Sequence, residues 1–215
     1  MILEEKTAIR KNIKSALKDY KENFQKDSEA IMEQILQSAE YKNADTILSY
    51  MALPDEVFLD NKKFFSKNVF IPKVRQEDGE MDFYKFDENA LETGAYDILE
   101  PVTENATGLK VNLEDGPVTR FSLEKFSFSE LEKYGNVMVL VPGRAFTAQG
   151  HRLGRGKGYY DKYLGKLFSL FEKRSEGGPG TGDITFAGVC FKPQIIEKLP
   201  TEQHDILMNR IFTTK

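Results

Sequence analysis

Residues 150–164 read GHRLGRGKGYYDKYL. Gly150, Gly154, Gly156 and Gly158 are interleaved with Arg152, Arg155 and Lys157, and Tyr159, Tyr160 and Asp161 follow directly. Glycine lets a backbone approach a ligand closely and adopt positive φ. From Arg144 to Lys166 the cations are Arg144, Arg152, Arg155, Lys157, Lys162 and Lys166, against the single acid Asp161. The whole chain has the opposite sign, with 30 Lys and Arg, 34 Asp and Glu and a formal net charge of -4. A local cationic loop running into a helix amino end, where N–H groups are unpaired, suits a polyphosphate. Asp161 adds a hard carboxylate of the kind Mg2+ shares with phosphate oxygens. Two plainer readings stand beside these: a solvated basic loop, and an acid placed in a first helical turn by the helix dipole. Neither GxxxxGK[ST] nor GxGxxG is formed by these glycines.

The elements that must position this loop follow from apolar periodicity. Residues 4–24 put Ile9, Ile13, Leu17 and Phe24 near one face of an amphipathic helix. A second helix is expected from Asp27 as N-cap, with Ile31, Ile35, Leu36 and Ala39 inward. ADTILSYMAL reads as a buried strand closed by Pro54, EVFLDNKKFFSK as a short helix, and NVFIPKV and MDFYKF as strands. DENALETGAYDILEP is turn-rich, and residues 102–135 are polar and irregular. VMVLVPG is the clearest buried strand, stopped by Pro142 and Gly143. After the glycine loop, Tyr160, Leu164, Leu167, Phe168 and Phe171 recur at helical spacing. ITFAGVCF and DILMNRIFT are the last strands, separated from that helix by the loop SEGGPGTGD. Continuous apolar strands alternating with helices predict an α/β fold: a three-layer α/β/α sandwich around a mostly parallel sheet, one domain over residues 1–215.

Composition narrows the function classes. Hydrophobic residues make up 40% and charged residues 30%, which suits a globular chain. The acidic net charge gives no general pull toward nucleic acid or anionic membrane, so neither is an expected partner. The one cysteine, Cys190, allows no intrachain disulfide and reads as a small buried residue of a reducing compartment. The charged, acidic start does not resemble a targeting segment, and the longest apolar run falls short of the about 18 residues of a membrane span. A cytoplasmic, monomeric protein acting on small molecules is the expectation.

VPGRAFTAQGHRLGRGKGYYDKYL closely resembles the signature of the 5-formyltetrahydrofolate cyclo-ligase family, whose members are also called 5,10-methenyltetrahydrofolate synthetases. The resemblance extends over nearly the whole chain, through KTAIR, SYMALPDEV, IPKV, GAYDILEP and VCFKPQIIEKLPTEQHDILMNRI in the expected order. It implies an ATP- and Mg2+-dependent closure of 5-formyltetrahydrofolate to 5,10-methenyltetrahydrofolate, releasing ADP and phosphate. Phosphorylating the formyl oxygen would make phosphate the leaving group, and such chemistry asks mainly for positioning and charge neutralisation.

The resemblance also implies residue roles. Lys6 and Arg10, four apart on one helix face, match ATP-contacting positions. Arg152, Gly154, Arg155, Gly156, Lys157, Gly158, Tyr159 and Tyr160 match the ATP loop, and Arg155 to Tyr159 also match positions that touch folate. Lys157 and Arg155 are the expected catalytic pair, with Lys157 the first choice to meet the transferring phosphoryl group. Met51 and Glu56 match folate-contacting positions, where Glu56 would accept pterin N–H groups. Asp161 and Asp205 match the metal positions, and His204 beside Asp205 reads as structural. Arg144 and Thr147 depart from an aliphatic residue and an acid usual in the family; Arg144 would add a phosphate contact or face water. Without the resemblance, Lys6 and Arg10 read as a solvated edge, Glu56 as a first-turn acid after Pro54, and Asp205 as a loop acid. Rival readings are a phosphosugar isomerase or CoA-transferase relative, and a single-stranded nucleic acid platform built on Arg, Lys and Tyr.

Overall fold

The structure is a computed structural model that describes residues 2–75, 77–94, 98–103, 123–175, 182–202 and 205–214. His204, most of SEGGPGTGD and much of 102–135 lie outside the described residues.

Three helices come first: α1 Ile2–Asp19, α2 Phe24–Gln37 and α3 Ala39–Asn43. They precede β1 Thr46–Leu48, β2 Asn68–Val74 and β3 Met81–Lys85, then a hairpin of β4 Leu91–Thr93 and β5 Leu99–Pro101. β6 Val137–Pro142, the small β7 Ala145–Phe146 and β8 Arg152–Leu153 hairpin, α4 Tyr159–Ser175, β9 Ile184–Val189 and β10 Arg210–Phe212 complete the chain. The main sheet has the order β10-β9-β6-β1-β2-β3 and is parallel throughout except that edge strand β3 runs against β2.

The two-residue pleat of β6 builds two cores. Met138 and Leu140 pack with Ile13 and Leu17 of α1 and Ile31 and Ile35 of α2. Val137, Val139 and Val141 face the other way and pack with Leu164, Leu167 and Phe171 of α4. Every residue of β6 is buried, as a parallel strand covered on both faces must be. The expected three-layer α/β/α arrangement is therefore present. Cys190, just after β9, is buried, and burial pushes its thiol up to about 12.

Several local expectations change. α2 starts at Phe24 after a single 3-10 turn, Lys21–Asn23, so Asp27 is not its N-cap. Oδ2 of Asp27 accepts hydrogen bonds from the Tyr20 hydroxyl at 2.6 Å and from Thr214 Oγ1 at 2.8 Å, so it serves these hydroxyls rather than helix N–H groups. ADTILSYMAL keeps only three strand residues, with one further bond to β2 from the Ser49 N–H to the Phe70 carbonyl at 2.8 Å. Ser49 Oγ then donates to Asn61 Oδ1 at 2.5 Å and the Tyr50 hydroxyl to the Val57 carbonyl at 2.8 Å. The helix expected over EVFLDNKKFFSK is one 3-10 turn, Asn61–Phe64, capped by Asp60. DILMNRIFT pairs only over Arg210–Phe212; upstream, the Met208 N–H instead donates to the Gly150 carbonyl at 2.8 Å.

The strand order fixes where a site can form. From β1 the chain moves one way to β2 and β3; from β6 it moves the other way to β9 and β10. The direction reverses between the neighbours β1 and β6, and the loops leaving their carboxyl ends diverge there to open a crevice.

Candidate functional site

Two loops meet at that crevice. One is residues 49–60, after β1. The other begins at Gly143, after β6, and runs through the β7–β8 hairpin and the glycine loop into α4. The first is held by the buried Asn61, whose Nδ2 donates to the Tyr50 carbonyl at 3.1 Å and lies 3.3 Å from the Met51 sulfur. The second is held at its turn by buried Thr147, whose Oγ1 accepts from the His151 N–H at 3.3 Å.

The glycine loop takes the shape its composition allows. Gly156 and Gly158 have φ of 102° and 74°, a region closed to most side chains. A Cβ on Gly156 would lie 3.4 Å from Cζ of Arg10, so the bare backbone lets the guanidinium settle over it. Arg10 Nε also donates to the Gly154 carbonyl at 2.9 Å. α1 thus lays its cationic edge on the loop. One turn earlier, Lys6 Nζ donates to Glu202 at 2.6 Å, with the lysine side chain 13% exposed. Inside the loop, Arg152 bonds the Pro142 carbonyl at 3.1 Å and pairs with the Asp161 carboxylate. Its guanidinium carbon lies 5.7 Å from the centre of the Tyr160 ring. The Lys162 N–H donates to the Gly158 carbonyl at 3.0 Å, which opens α4 and leaves the first N–H groups of that helix without intrahelical acceptors. Lys157 is exposed and makes no ion pair among the described residues.

The two loops are bolted together by charge. Arg155 donates from Nε to Glu56 at 2.7 Å and from Nη2 to Asp55, and Arg144 Nη1 donates to the other oxygen of Asp55. Glu56 is 7% exposed and also accepts the Leu53 N–H at 3.1 Å. Burial alone would push the Asp55 carboxyl up, but the hydrogen bonds from Arg155 and Arg144, with their charges, hold it below the ordinary carboxylate range. Burial lowers the Arg155 guanidinium, and the charges and hydrogen bonds of Glu56 and Asp55 outweigh it and raise it. The Tyr160 hydroxyl is buried beside Glu56 with no hydrogen-bond partner among the described residues, and burial first, then the Glu56 charge, keeps it protonated.

A family model described as the 5-formyltetrahydrofolate cyclo-ligase family matches residues 2–214. The chain belongs to that family. The mouse 5-formyltetrahydrofolate cyclo-ligase is 25% identical to it over 216 aligned residues, covering 96% of this chain and 92% of the mouse protein. The solved structure of 5,10-methenyltetrahydrofolate synthetase from Aquifex aeolicus is similar, with a TM-score of 0.64, 25% identity, and coverage of 97% of this chain and 89% of that one. A 5,10-methenyltetrahydrofolate synthetase from Mycoplasma pneumoniae, at 19% identity and a TM-score of 0.57 over 97% of this chain and 98% of its own, shares the fold.

In this cyclo-ligase family member Lys6, Arg10, Arg152, Gly154, Gly156 and Asp161 gather on one side of the crevice, and Arg155 and Glu56 meet at its centre. Asp205 stands apart from Asp161. It closes a turn with Glu202, accepting that residue's N–H at 2.8 Å, and Glu202 in turn pairs with Lys6. Among the described residues no three His, Cys, Asp or Glu side chains converge as a metal cage. The half-exposed Asp161 carboxylate fits a hard cation that draws its other ligands from phosphate and water. Arg144 is neither a free phosphate contact nor a solvated residue: it is spent on Asp55. Glu56 follows a loop rather than opening a helix, so its first-turn reading is replaced by the ion pair. Asp55, Asn61 and Tyr50 escaped the sequence reading. Only the adjacency of Asp55 to Glu56 hinted at the first, and nothing local signals the others.

Proposed function

We propose that the chain catalyses ATP-dependent cyclisation of 5-formyltetrahydrofolate to 5,10-methenyltetrahydrofolate. The observation that carries this reading is the convergence of Arg10, Arg152, the bare backbone of Gly154–Gly158 and the amino end of α4 against the Asp55–Glu56 loop at the sheet's reversal point. The first set suits a triphosphate, and the second offers a buried carboxylate to a nitrogen-rich ring.

In the proposed course the formyl oxygen attacks the γ-phosphorus and ADP leaves. The neighbouring N10 then attacks the activated formyl carbon and loses its proton, and the C–O bond breaks with phosphate as leaving group. No protein nucleophile is required. Lys157, exposed and without an ion pair among the described residues, follows the transferring phosphoryl oxygens. Arg10 and Arg152 orient the remaining phosphates, Tyr159 flanks the ring system, and Arg155 exchanges a protein carboxylate for a substrate oxygen. Mg2+ would be held by Asp161 and would supply charge neutralisation for the phosphates.

The deciding experiment measures ADP release with and without 5-formyltetrahydrofolate, beside the absorbance of the methenyl product. Release that requires the folate supports the reading; ATP turnover indifferent to it, or none, rejects it. Lys157→Ala should lose about 3 kcal/mol of transition-state stabilisation, on the order of a hundredfold in kcat.

A further inference from the structure

Asp55 lies where two arginines meet. Arg144 stands on a pinned backbone: its N–H donates to the Leu153 carbonyl at 2.7 Å, and its carbonyl accepts from Gln194 Nε2 at 3.3 Å. Gln194 is 2% exposed and also holds the Gly143 carbonyl at 2.7 Å and the Phe191 N–H at 2.8 Å. Arg155 stands instead between Gly154 and Gly156, two residues without side chains. Both guanidinium groups bond the same carboxylate, one to each oxygen. With Glu56 the four charges cancel.

This arrangement answers a difficulty in the proposed function. Arg155 is tied to protein carboxylates, and a cation so tied meets an incoming anion only by abandoning one of them. A carboxylate left partly buried and unpaired costs free energy that weakens binding. We propose that Arg144 is a positioning residue that keeps Asp55 paired while Arg155 turns to the phosphates. Arg144 itself need never touch the ligand. The inference rests on the reading of the glycine loop as a triphosphate site and deepens it.

The test is a double-mutant cycle read by calorimetric titration of inorganic tripolyphosphate into wild type, Arg144→Leu, Asp55→Asn and the double variant, with Arg144→Lys as a rescue arm. Arg144→Leu should weaken binding about tenfold, about 1.4 kcal/mol, because Asp55 then loses the one arginine still paired with it among the described residues. Arg144→Lys should recover most of that, since an ammonium also satisfies one carboxylate oxygen. In the Asp55→Asn background the leucine substitution should cost nothing, because no charge is left to strand. With ATP as substrate, KM should rise with the Kd while kcat at saturation holds, whereas a merely structural lesion would depress both. An equal penalty in both backgrounds would mean that Arg144 contacts phosphate itself, and no penalty in either would mean that Asp55 needs no second partner; each overturns the proposal. Failure of wild type to bind tripolyphosphate would instead remove the triphosphate reading of the loop, and the proposal with it.

Discussion

Glu56→Gln isolates what the charge at the centre of the crevice contributes. The two carboxylate oxygens each accept one donor, Arg155 Nε at 2.7 Å and the Leu53 N–H at 3.1 Å, and the side chain is only 7% exposed. Glutamine has the same shape but only one oxygen. Its amide NH2 must face one of those two donors, so one hydrogen bond becomes a donor–donor contact and the ion pair is lost. A hydrogen bond to a charged group contributes about 1.5–3 kcal/mol. Arg155 keeps Asp55, which favours the lower part of that range, so about 2 kcal/mol is expected. For a chain of this size each kcal/mol shifts Tm by about 2–4 °C, giving a fall of about 4–8 °C. The same substitution should raise KM for 5-formyltetrahydrofolate more than KM for ATP, because Glu56 belongs to the loop after β1 and the phosphate cluster to the loop after β6. Thermal melts followed by initial rates at varied folate and varied ATP read both effects. A Tm within about 1 °C of wild type, or equal rises in both KM values, would refute the assignment of Glu56 to the folate side and the energy given to its ion pair.

Asp161→Asn keeps an oxygen for Arg152 and should fold normally, yet lose the dependence of turnover on Mg2+ concentration; a Mg2+ titration matching wild type removes Asp161 from the metal site. Gly188→Ala would bring a Cβ within 2.6 Å of the Phe146 ring, which is fully buried, so overpacking of about 2 kcal/mol should appear as a lower urea midpoint, and an unchanged midpoint would show that the ring can yield. Acid should act through Asp55. Its carboxyl titrates lower in the folded chain than in the unfolded one, so its contribution is complete above the unfolded value of about 4 and is lost as pH falls through the depressed native value. Asp55→Asn should flatten the decline of Tm below about pH 4, and parallel curves for the two proteins would contradict this.

The layers of the fold were legible because they rest on local signals. β6 is a continuous apolar run, and α1 and α4 carry their buried faces at helical spacing, so a sheet covered on both sides followed from pattern alone. The ends of elements were less legible. Asp27 has the chemistry of an N-cap and is spent instead on Tyr20 and Thr214, one near and one at the far end of the chain. Beyond β1, Asn61, twelve residues on from Ser49, takes up the Ser49 hydroxyl and the Tyr50 carbonyl, a contact that no local pattern announces. The glycine loop was readable as a cationic, backbone-rich segment, and α1 does place Arg10 upon it. That Arg155 spends its fork on Asp55 and Glu56 was not readable, since it depends on β1 and β6 being neighbours although about ninety residues separate the two loops. Charge counts along a sequence show which sign gathers where, and only topology decides which opposite charges will quench it.

The chain's one sulfhydryl, Cys190, is sealed beneath the sheet with its ionisation pushed up to about 12. Maleimide dyes need an accessible thiolate, so native protein should ignore them. A cysteine engineered at an exposed position, such as Phe65 at 87% exposure, would then be the sole attachment point for a fluorophore. The fold therefore comes ready for a single optical label, with no background cysteine to delete first.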